Sequence, residues 1–138
     1  MNSCGLEKTN MTNGSNYSQI SVGITFFHPN ETDLQILDQI CPIFGLVIIY
    51  DNTNVHNESV CKLAESFDNI CYLANQHNDG VAVALNQMAN IAKVQGYKKI
   101  VFFDQDSRLP NKDLLLYLDN VLSIHNDKVA IISPNIIC

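Results

Sequence analysis

Two carboxylates, Asp104 and Asp106, follow the apolar run Ile100–Phe103 and stand one residue apart. Two like charges this close either raise the pKa of one carboxyl group or share a cation. Hard cations such as Mg²⁺ and Mn²⁺ prefer carboxylate oxygens, and the phosphates of a substrate commonly complete the Mg²⁺ shell. If both side chains extend from the strand end on the same side, the pair predicts a metal–diphosphate site. The open alternative is that the two acids only turn the chain or cap a following helix.

Two further positions could contribute to a nucleotide site. Asp51 follows the apolar run Leu46–Tyr50, where an acid could accept hydrogen bonds from a base N–H or a ribose hydroxyl; the alternative is an Asx turn. Gly80 opens a long helical pattern, and a glycine there lets backbone N–H groups approach a phosphate; the alternative is a plain turn glycine. The segment Thr25–Pro29 follows the first predicted strand and is a third candidate.

The elements that must position these residues alternate along the chain. Short β-branched or aromatic runs predict strands, and apolar residues at helical spacing predict helices. The predicted strands are Ile20–Phe27, Leu46–Tyr50, Ile70–Leu73, Ile100–Phe103 and Val129–Ile132. The predicted helices are Glu31–Ile40, Asn57–Phe67, Gly80–Gln95 and Asn111–His125.

This alternation predicts an α/β fold that is Rossmann-like, with a mostly parallel sheet, helices on both faces and right-handed crossovers. In open sheets of this kind, ligands bind at the carboxyl ends of the strands. Polar clusters follow four of the predicted strands, so the topology should bring them to one rim. These clusters are His28–Asn30, Asp51–Asn52, Asn75–Gly80 and Asp104–Asp106.

Length and charge exclude some classes of function. The chain has 138 residues and a net charge of −6, which suits one domain and argues against nucleic-acid binding. Residues 1–18 are polar and predict a flexible leader, with an α/β domain over residues 19–138. There is no signal-peptide pattern and no apolar run of membrane length. The five cysteines form no CxxC motif, so we expect reduced thiols and a cytoplasmic location, either free or at the inner face of the membrane.

Four segments, taken together and in order, resemble a known family. SVGITFFHPN, LVIIYDNTN, NDGVAVALNQMANIA and VFFDQDSRLP resemble the N-terminal half of a family 2 glycosyltransferase with the GT-A fold. The last two resemble the rhamnosyltransferase branch, with its N-x-G-(I/V)-A-x-A-L-N helix start and L-D-Q-D-S metal motif. The resemblance covers about residues 20–134 and does not include the leader.

The resemblance implies which residues hold the ligands. Asp106 would bind Mg²⁺ or Mn²⁺, and Asp104 would contribute to that metal site while lying nearer the ribose. Residues that match the family's nucleotide-binding positions are Thr25, Phe26, Pro29, Asp51, Gly80, Ala84, Asn86 and Asp104.

Three positions depart from the family pattern. His28 stands where Asn is commoner, and Tyr50 precedes Asp51 where Val is usual. Asp79 replaces an uncharged or basic residue. It would add a negative charge near a diphosphate, so we expect weaker binding.

The chemistry that the resemblance implies is inverting sugar transfer from dTDP-rhamnose or a UDP-sugar to a polysaccharide acceptor. The metal neutralises charge on the leaving nucleoside diphosphate, and a separate carboxylate takes the acceptor's proton. In the family that base lies well beyond the metal motif. We therefore expect a donor-binding half, truncated before the acceptor half, that binds nucleotide weakly and does not transfer sugar alone. The open sheet edge left by such a truncation should favour self-association.

Other functions compete with this interpretation. A non-catalytic nucleotide-binding or interaction module would result from the truncation alone. A haloacid dehalogenase-type phosphatase would carry the Asp-x-Asp motif after its first strand, whereas here it follows the fourth. A nucleotidyltransferase would normally have a Gly-rich basic loop after its first strand, which Thr25–Asn30 lacks. Transfer activity, alone or mixed with a C-terminal half, discriminates among them.

Overall fold

The structure is a computed structural model that describes residues 17–107 together with Asp119, Asn120 and Ser123. Seven elements follow one another in this part of the chain: β1 (Ser21–Phe26), α1 (Glu31–Ile40), β2 (Leu46–Asp51), α2 (Glu58–Glu65), β3 (Ile70–Ala74), α3 (Val81–Val94) and β4 (Ile100–Asp104). Helix α1 has its predicted bounds, and the other elements differ from theirs by one or two residues.

The chain divides into two compact units, Met1–Arg108 and Leu109–Cys138, and all seven elements belong to the first. In the second unit, Asp119, Asn120 and Ser123 are helical. The rest of the predicted helix Asn111–His125, and the whole predicted strand Val129–Ile132, lie outside the described residues. Most of the predicted leader, residues 1–18, lies outside them as well.

The four strands form one sheet in the order β3-β2-β1-β4, and every pair is parallel. From β1 the chain moves through β2 to β3 in one direction, and it then returns past β1 to add β4 on the other side. The parallel pairing follows from the helical crossover between successive strands. The predicted Rossmann-like α/β fold is therefore confirmed.

Helix α3 covers one face of the sheet. Its approach to β1 depends on Gly23, because a Cβ there would lie 2.7 Å from the Phe102 ring and 3.1 Å from the Met88 sulfur. The core on this face consists of the following buried residues: Leu46, Ile48, Tyr50, Cys71, Leu73, Ala84, Met88 and Ala92.

The opposite face is equally buried. Side chains alternate along a strand, so Tyr72 points away from α3, and its hydroxyl group lies beside Cys61 of α2. Helices therefore cover both faces, as predicted. The alternate residues of β1 and β2 that face this side are wholly inaccessible to solvent: Val22, Ile24, Phe26, Val47 and Ile49.

Asn30 begins α1 rather than lying free at the rim. Its Oδ1 accepts hydrogen bonds from the N–H groups of Thr32 and Asp33 at 2.8 and 3.1 Å. The Asn30 N–H in turn donates to Asp33 Oδ2 at 2.9 Å. This reciprocal capping box satisfies the first donors of the helix.

The cysteines differ from the expectation of reduced thiols in one case. Cys41 and Cys61 are free, and burial raises the pKa of the Cys41 thiol to about 12. Cys71 is disulfide-bonded, so the expectation is wrong for this residue. In the described part of the chain, no helix combines the length and the apolar character needed to cross a membrane.

Candidate functional site

The carboxyl ends of β1 and β4 mark the point where the strand order reverses. Thr25 of β1 is paired with Asp104 of β4 across this point. In open α/β sheets, ligands bind in the crevice outside the strand ends at such a switch point. The topology alone therefore selects the neighbourhood of Thr25 and Asp104, which is where the sequence places its strongest candidates.

A tight turn carries the two predicted metal ligands. The Ser107 N–H donates to the Asp104 carbonyl at 3.0 Å, and the Asp104 N–H donates to Ser107 Oγ at 3.1 Å. Strand β4 ends at Asp104, so Asp106 lies in the turn and not on an extended strand end as assumed from the spacing. Both acids are exposed, and the turn, rather than the pleat, sets their relative direction.

The donor chemistry of this turn suits a hard cation that is only partly held by protein. Asp104 and Asp106 offer carboxylate oxygens, which Mg²⁺ and Mn²⁺ prefer. Among the described residues, no group of three or more His, Cys, Asp or Glu side chains could hold a metal by itself. These two carboxylates would need further oxygen ligands, such as phosphate oxygens or water, to complete the shell, so they fit a metal–diphosphate arrangement.

Gln105, between the two acids, ties their turn to the loop after β1. Its Oε1 accepts a hydrogen bond from the Phe27 N–H at 2.8 Å. Phe27 is 46% exposed, and its ring meets the His28 ring edge-on at 4.5 Å between centroids. Both residues lie within segments that the sequence marks as candidates, Thr25–Pro29 and Asp104–Asp106, but neither is among the individually assigned site residues.

The predicted residues on and after β1 have different surroundings. The side chain of Phe26 is wholly buried in the core, and its carbonyl accepts the Asn52 N–H at 2.8 Å. Thr25 and Pro29 are half-buried. If Phe26 contacts a ligand directly, it must therefore do so through its backbone atoms. Side chains alternate along a strand, so an inward Phe26 leaves Phe27 facing out. This alternation is the sequence signal that could have identified Phe27.

His28 adopts an uncommon backbone conformation at the rim. Its φ is 48°, in the left-handed region that disfavours most side chains but which His visits more often than most residues. The His28 N–H donates to Thr53 Oγ1 at 2.9 Å, which holds the loop after β1 against the loop after β2. Backbone strain of this kind clusters at functional sites.

Asp51 is 1% exposed, and the chain itself uses both of its carboxylate oxygens. Oδ1 accepts the Thr53 N–H at 2.9 Å in an Asx turn, and Oδ2 accepts the Tyr72 hydroxyl at 2.9 Å. Burial, followed by this bond to Asp51, raises the pKa of Tyr72. The turn-stabilising role that the sequence left open is therefore present. A nucleotide contact by Asp51 stays a prediction and would use the remaining lone pairs.

Gly80 is the residue before α3, with φ 81° and ψ 163°, a conformation that essentially only glycine adopts. A Cβ at this position would meet nothing within 4 Å, so open space adjoins the helix start. Of the helix residues that matched the family, Ala84 is buried in the core and Asn86 is exposed further along α3.

Asp79, next to Gly80, is bound to β2. The Tyr50 hydroxyl donates to Asp79 Oδ2 at 2.7 Å, and the Asp79 N–H donates to Asn52 Oδ1 at 3.2 Å. The pKa of Asp79 is lowered, chiefly by the Tyr50 hydroxyl and then by the Asn75 and His77 side chains. Burial, together with the bond to Asp79, raises the pKa of Tyr50 to about 12, so this hydroxyl is a donor at neutral pH.

Hydrogen bonds thus join the four rim loops in the order of their strands. Gln105 binds the loop after β1, that loop binds Thr53 and Asn52 after β2, and these reach Asp79 after β3. The separate polar clusters of the sequence therefore form one continuous rim. A shallow groove of about 460 Å³ lies elsewhere, between α1 and α2, with Leu34 and Leu63 in its lining. We do not assign the ligand to that groove, because none of the rim residues line it.

The chain is 31% identical over 121 residues to the dTDP-rhamnosyl transferase RfbF of Shigella flexneri, a match that covers 82% of this chain. The resemblance to rhamnosyltransferases is confirmed. The chain spans 38% of the length of that rhamnosyltransferase. No family model matches the chain, and no solved structure gives a significant match.

Proposed function

We propose that this chain binds the nucleotide-sugar donor of a glycosyltransferase, with dTDP-rhamnose as the donor and a UDP-sugar as the second candidate. The observation that carries the proposal is the position of Asp104 and Asp106 at the switch point between β1 and β4. The relative that the chain matches is called a dTDP-rhamnosyl transferase, and this supports dTDP-rhamnose over other donors.

Asp104 and Asp106 would hold Mg²⁺ or Mn²⁺ together with the diphosphate oxygens. When bound, the cation supplies Lewis-acid stabilisation of the charge that develops on the leaving nucleoside diphosphate. The two carboxylates of the chain would keep this cation at the end of β4. Gln105 binds the loop after β1 to the same turn through the Phe27 N–H, so this hydrogen bond would join the surfaces that contact the donor and the metal.

The remaining rim residues would orient the nucleotide. Thr25 and Pro29 border the switch point, and Phe27 presents an exposed ring that suits stacking against a base. The open space beside Gly80 lets backbone N–H groups at the start of α3 face a phosphate. Asp51, from its buried position, would accept hydrogen bonds from the base or the ribose. Asn86 would lie near the diphosphate.

The transfer reaction itself needs groups beyond this rim. We propose that the carboxylate that activates the glycan acceptor lies outside this chain, so that the chain alone binds donor without transferring sugar. A cytoplasmic location, free or at the inner face of the membrane, and self-association through a sheet edge stay predictions. The competing function is a non-catalytic nucleotide-binding module, because the chain spans only 38% of the relative. A transfer assay with a complementary C-terminal half separates the two.

Calorimetric titration of the chain with dTDP and with UDP, in Mn²⁺ or in a chelator, tests the proposal. We expect weak binding of dTDP in Mn²⁺, weaker binding of UDP, and loss of both in the chelator. Thymidine is the control, because it has the base and sugar but no phosphate to share the metal. Absence of binding by both nucleotides in Mn²⁺ would overturn the proposal.

A further inference from the structure

Two positions where the chain departs from the rhamnosyltransferase pattern contact each other. The Tyr50 hydroxyl on β2 donates to Asp79 Oδ2 at 2.7 Å. Asn75 Nδ2 donates both to Tyr50 Oη and to Asp79 Oδ2, at 3.1 Å in each case. His77 Nδ1 lies 3.1 Å from Asp79 Oδ1. The acid that the sequence suggested would repel a diphosphate is thus held by groups on β2 and after β3.

The side toward which the Asp79 carboxylate is held affects any anionic ligand at the rim. In the sheet order β3-β2-β1-β4, the groups that bind Asp79 belong to β2 and to the loop after β3, on the side of β1 away from β4 and Asp104. The Asp79 side chain remains one quarter exposed, so it could otherwise turn toward solvent and toward an anion at the start of α3. A carboxylate within several ångströms of a diphosphate repels it.

The restraining group is well anchored. Tyr50 is 1% exposed, and its ring belongs to the core cluster with Ala84 and Met88 of α3. Packing of the ring fixes where the hydroxyl lies, so Asp79 binds a donor whose position does not depend on the ligand. Asn75 and His77, which also contact Asp79, are by contrast exposed on the loop after β3, so packing restrains their side chains less.

We propose that Tyr50 is a positioning residue that holds the Asp79 carboxylate toward β2 and β3, so that a nucleoside diphosphate can bind at the start of α3 despite this acid. The inference rests on the proposed function, since it needs a diphosphate at the rim. The two departures from the family pattern, Tyr50 and Asp79, then compensate each other, because the Tyr50 hydroxyl is needed only where the Asp79 carboxylate is present.

The test is a double-mutant cycle on dTDP affinity in Mn²⁺, with Tyr50→Phe, Asp79→Asn and the double variant. Tyr50→Phe keeps the core ring and removes only the hydroxyl, and it should weaken dTDP binding by about fivefold through repulsion from the released carboxylate. Asp79→Asn alone should change affinity little, and in the Tyr50→Phe background it should restore binding.

Melting temperatures of the same four proteins show how much stability each variant loses. Tyr50→Phe removes a stabilising hydrogen bond in either case, so the double variant separates positioning from stability. Under a merely structural role for the hydroxyl, affinity would follow melting temperature, and Asp79→Asn would not restore binding. Unchanged affinity in Tyr50→Phe, or no recovery in the double variant, would overturn the inference while leaving nucleotide binding by the wild type intact. If the wild type binds no dTDP, the proposed function fails first, and this inference fails with it.

Discussion

At the residue scale, the acids of the rim fall into two groups. Asp51 and Asp79 use their carboxylate oxygens on donors of the chain itself, so hydrogen bonds within the chain hold them in place. Asp104 and Asp106 are instead exposed, at and just after the end of β4, where their carboxylates can meet a ligand from solvent. The second pair is therefore the one suited to a cation and a ligand, and the first pair shapes the loops beside it.

The titration of Asp79 should report its bond to Tyr50. The pKa of Asp79 is lowered from 3.8, so its contribution to stability is present above that value and is lost as the pH falls through the folded pKa. Tyr50→Phe removes the largest cause, so the pKa of Asp79 should rise toward 3.8 and its share of acid destabilisation should shrink. Side-chain NMR titration measures this.

Tyr97→Phe is the matched control for that titration. It removes the hydroxyl of another partly buried tyrosine whose pKa is raised by burial, and it should leave Asp79 unchanged. An Asp79 pKa that is the same in Tyr50→Phe as in the wild type would mean that the 2.7 Å contact does not form in solution.

At the scale of elements, the loop after β1 is held by one side-chain bond to the metal-motif turn. Gln105→Ala removes the acceptor of the Phe27 N–H, a loss on the order of 1 kcal/mol. We expect faster hydrogen exchange at the Phe27 amide, by about fivefold, and weaker nucleotide binding. Gln87→Ala, an exposed glutamine of α3, is the control and should change neither. Equal exchange in the two variants would show that Gln105 does not restrain the loop.

Gly45 allows the chain segment before β1 to pack closely against the start of β2. A Cβ there would overlap the Ser18 carbonyl oxygen and lie 2.8 Å from the Tyr97 hydroxyl oxygen. Gly45→Ala should therefore destabilise the fold by about 3 kcal/mol, measured by urea unfolding. Gly80→Ala is the matched variant, because it adds backbone strain of about 2 kcal/mol without a clash. A Gly45→Ala protein as stable as the wild type would refute this packing.

At the scale of the whole molecule, the sequence predicts the elements well because each has a local cause. The Asn30 cap, the β-branched runs and the helical spacing of α3 all act over a few residues, and the bounds of seven elements follow from them. The sheet order β3-β2-β1-β4 has no such local signal. It depends on which strand edge each crossover reaches, and no local pattern of residues determines that.

The sequence predicts the site less completely than the fold, because the contacts of the site are not local in the chain. Asp104 was expected at a strand end and lies there, but the turn that carries Asp106 depends on a bond from Ser107 that spacing alone does not indicate. The contacts of Gln105 with Phe27 and of Tyr50 with Asp79 join residues far apart in the chain. Such pairs appear only when the sheet brings separate loops to one rim.

The central claim, metal-dependent nucleotide binding at the end of β4, is tested most directly by one comparison. Calorimetry with dTDP, with and without Mn²⁺, should be run on the wild type, Asp106→Ala and Asp68→Ala; Asp68 is an exposed acid before β3, at the other end of the strands. We predict that Mn²⁺ strengthens binding by about tenfold or more in the wild type and in Asp68→Ala, and not in Asp106→Ala. Equal metal dependence in all three proteins would contradict the account.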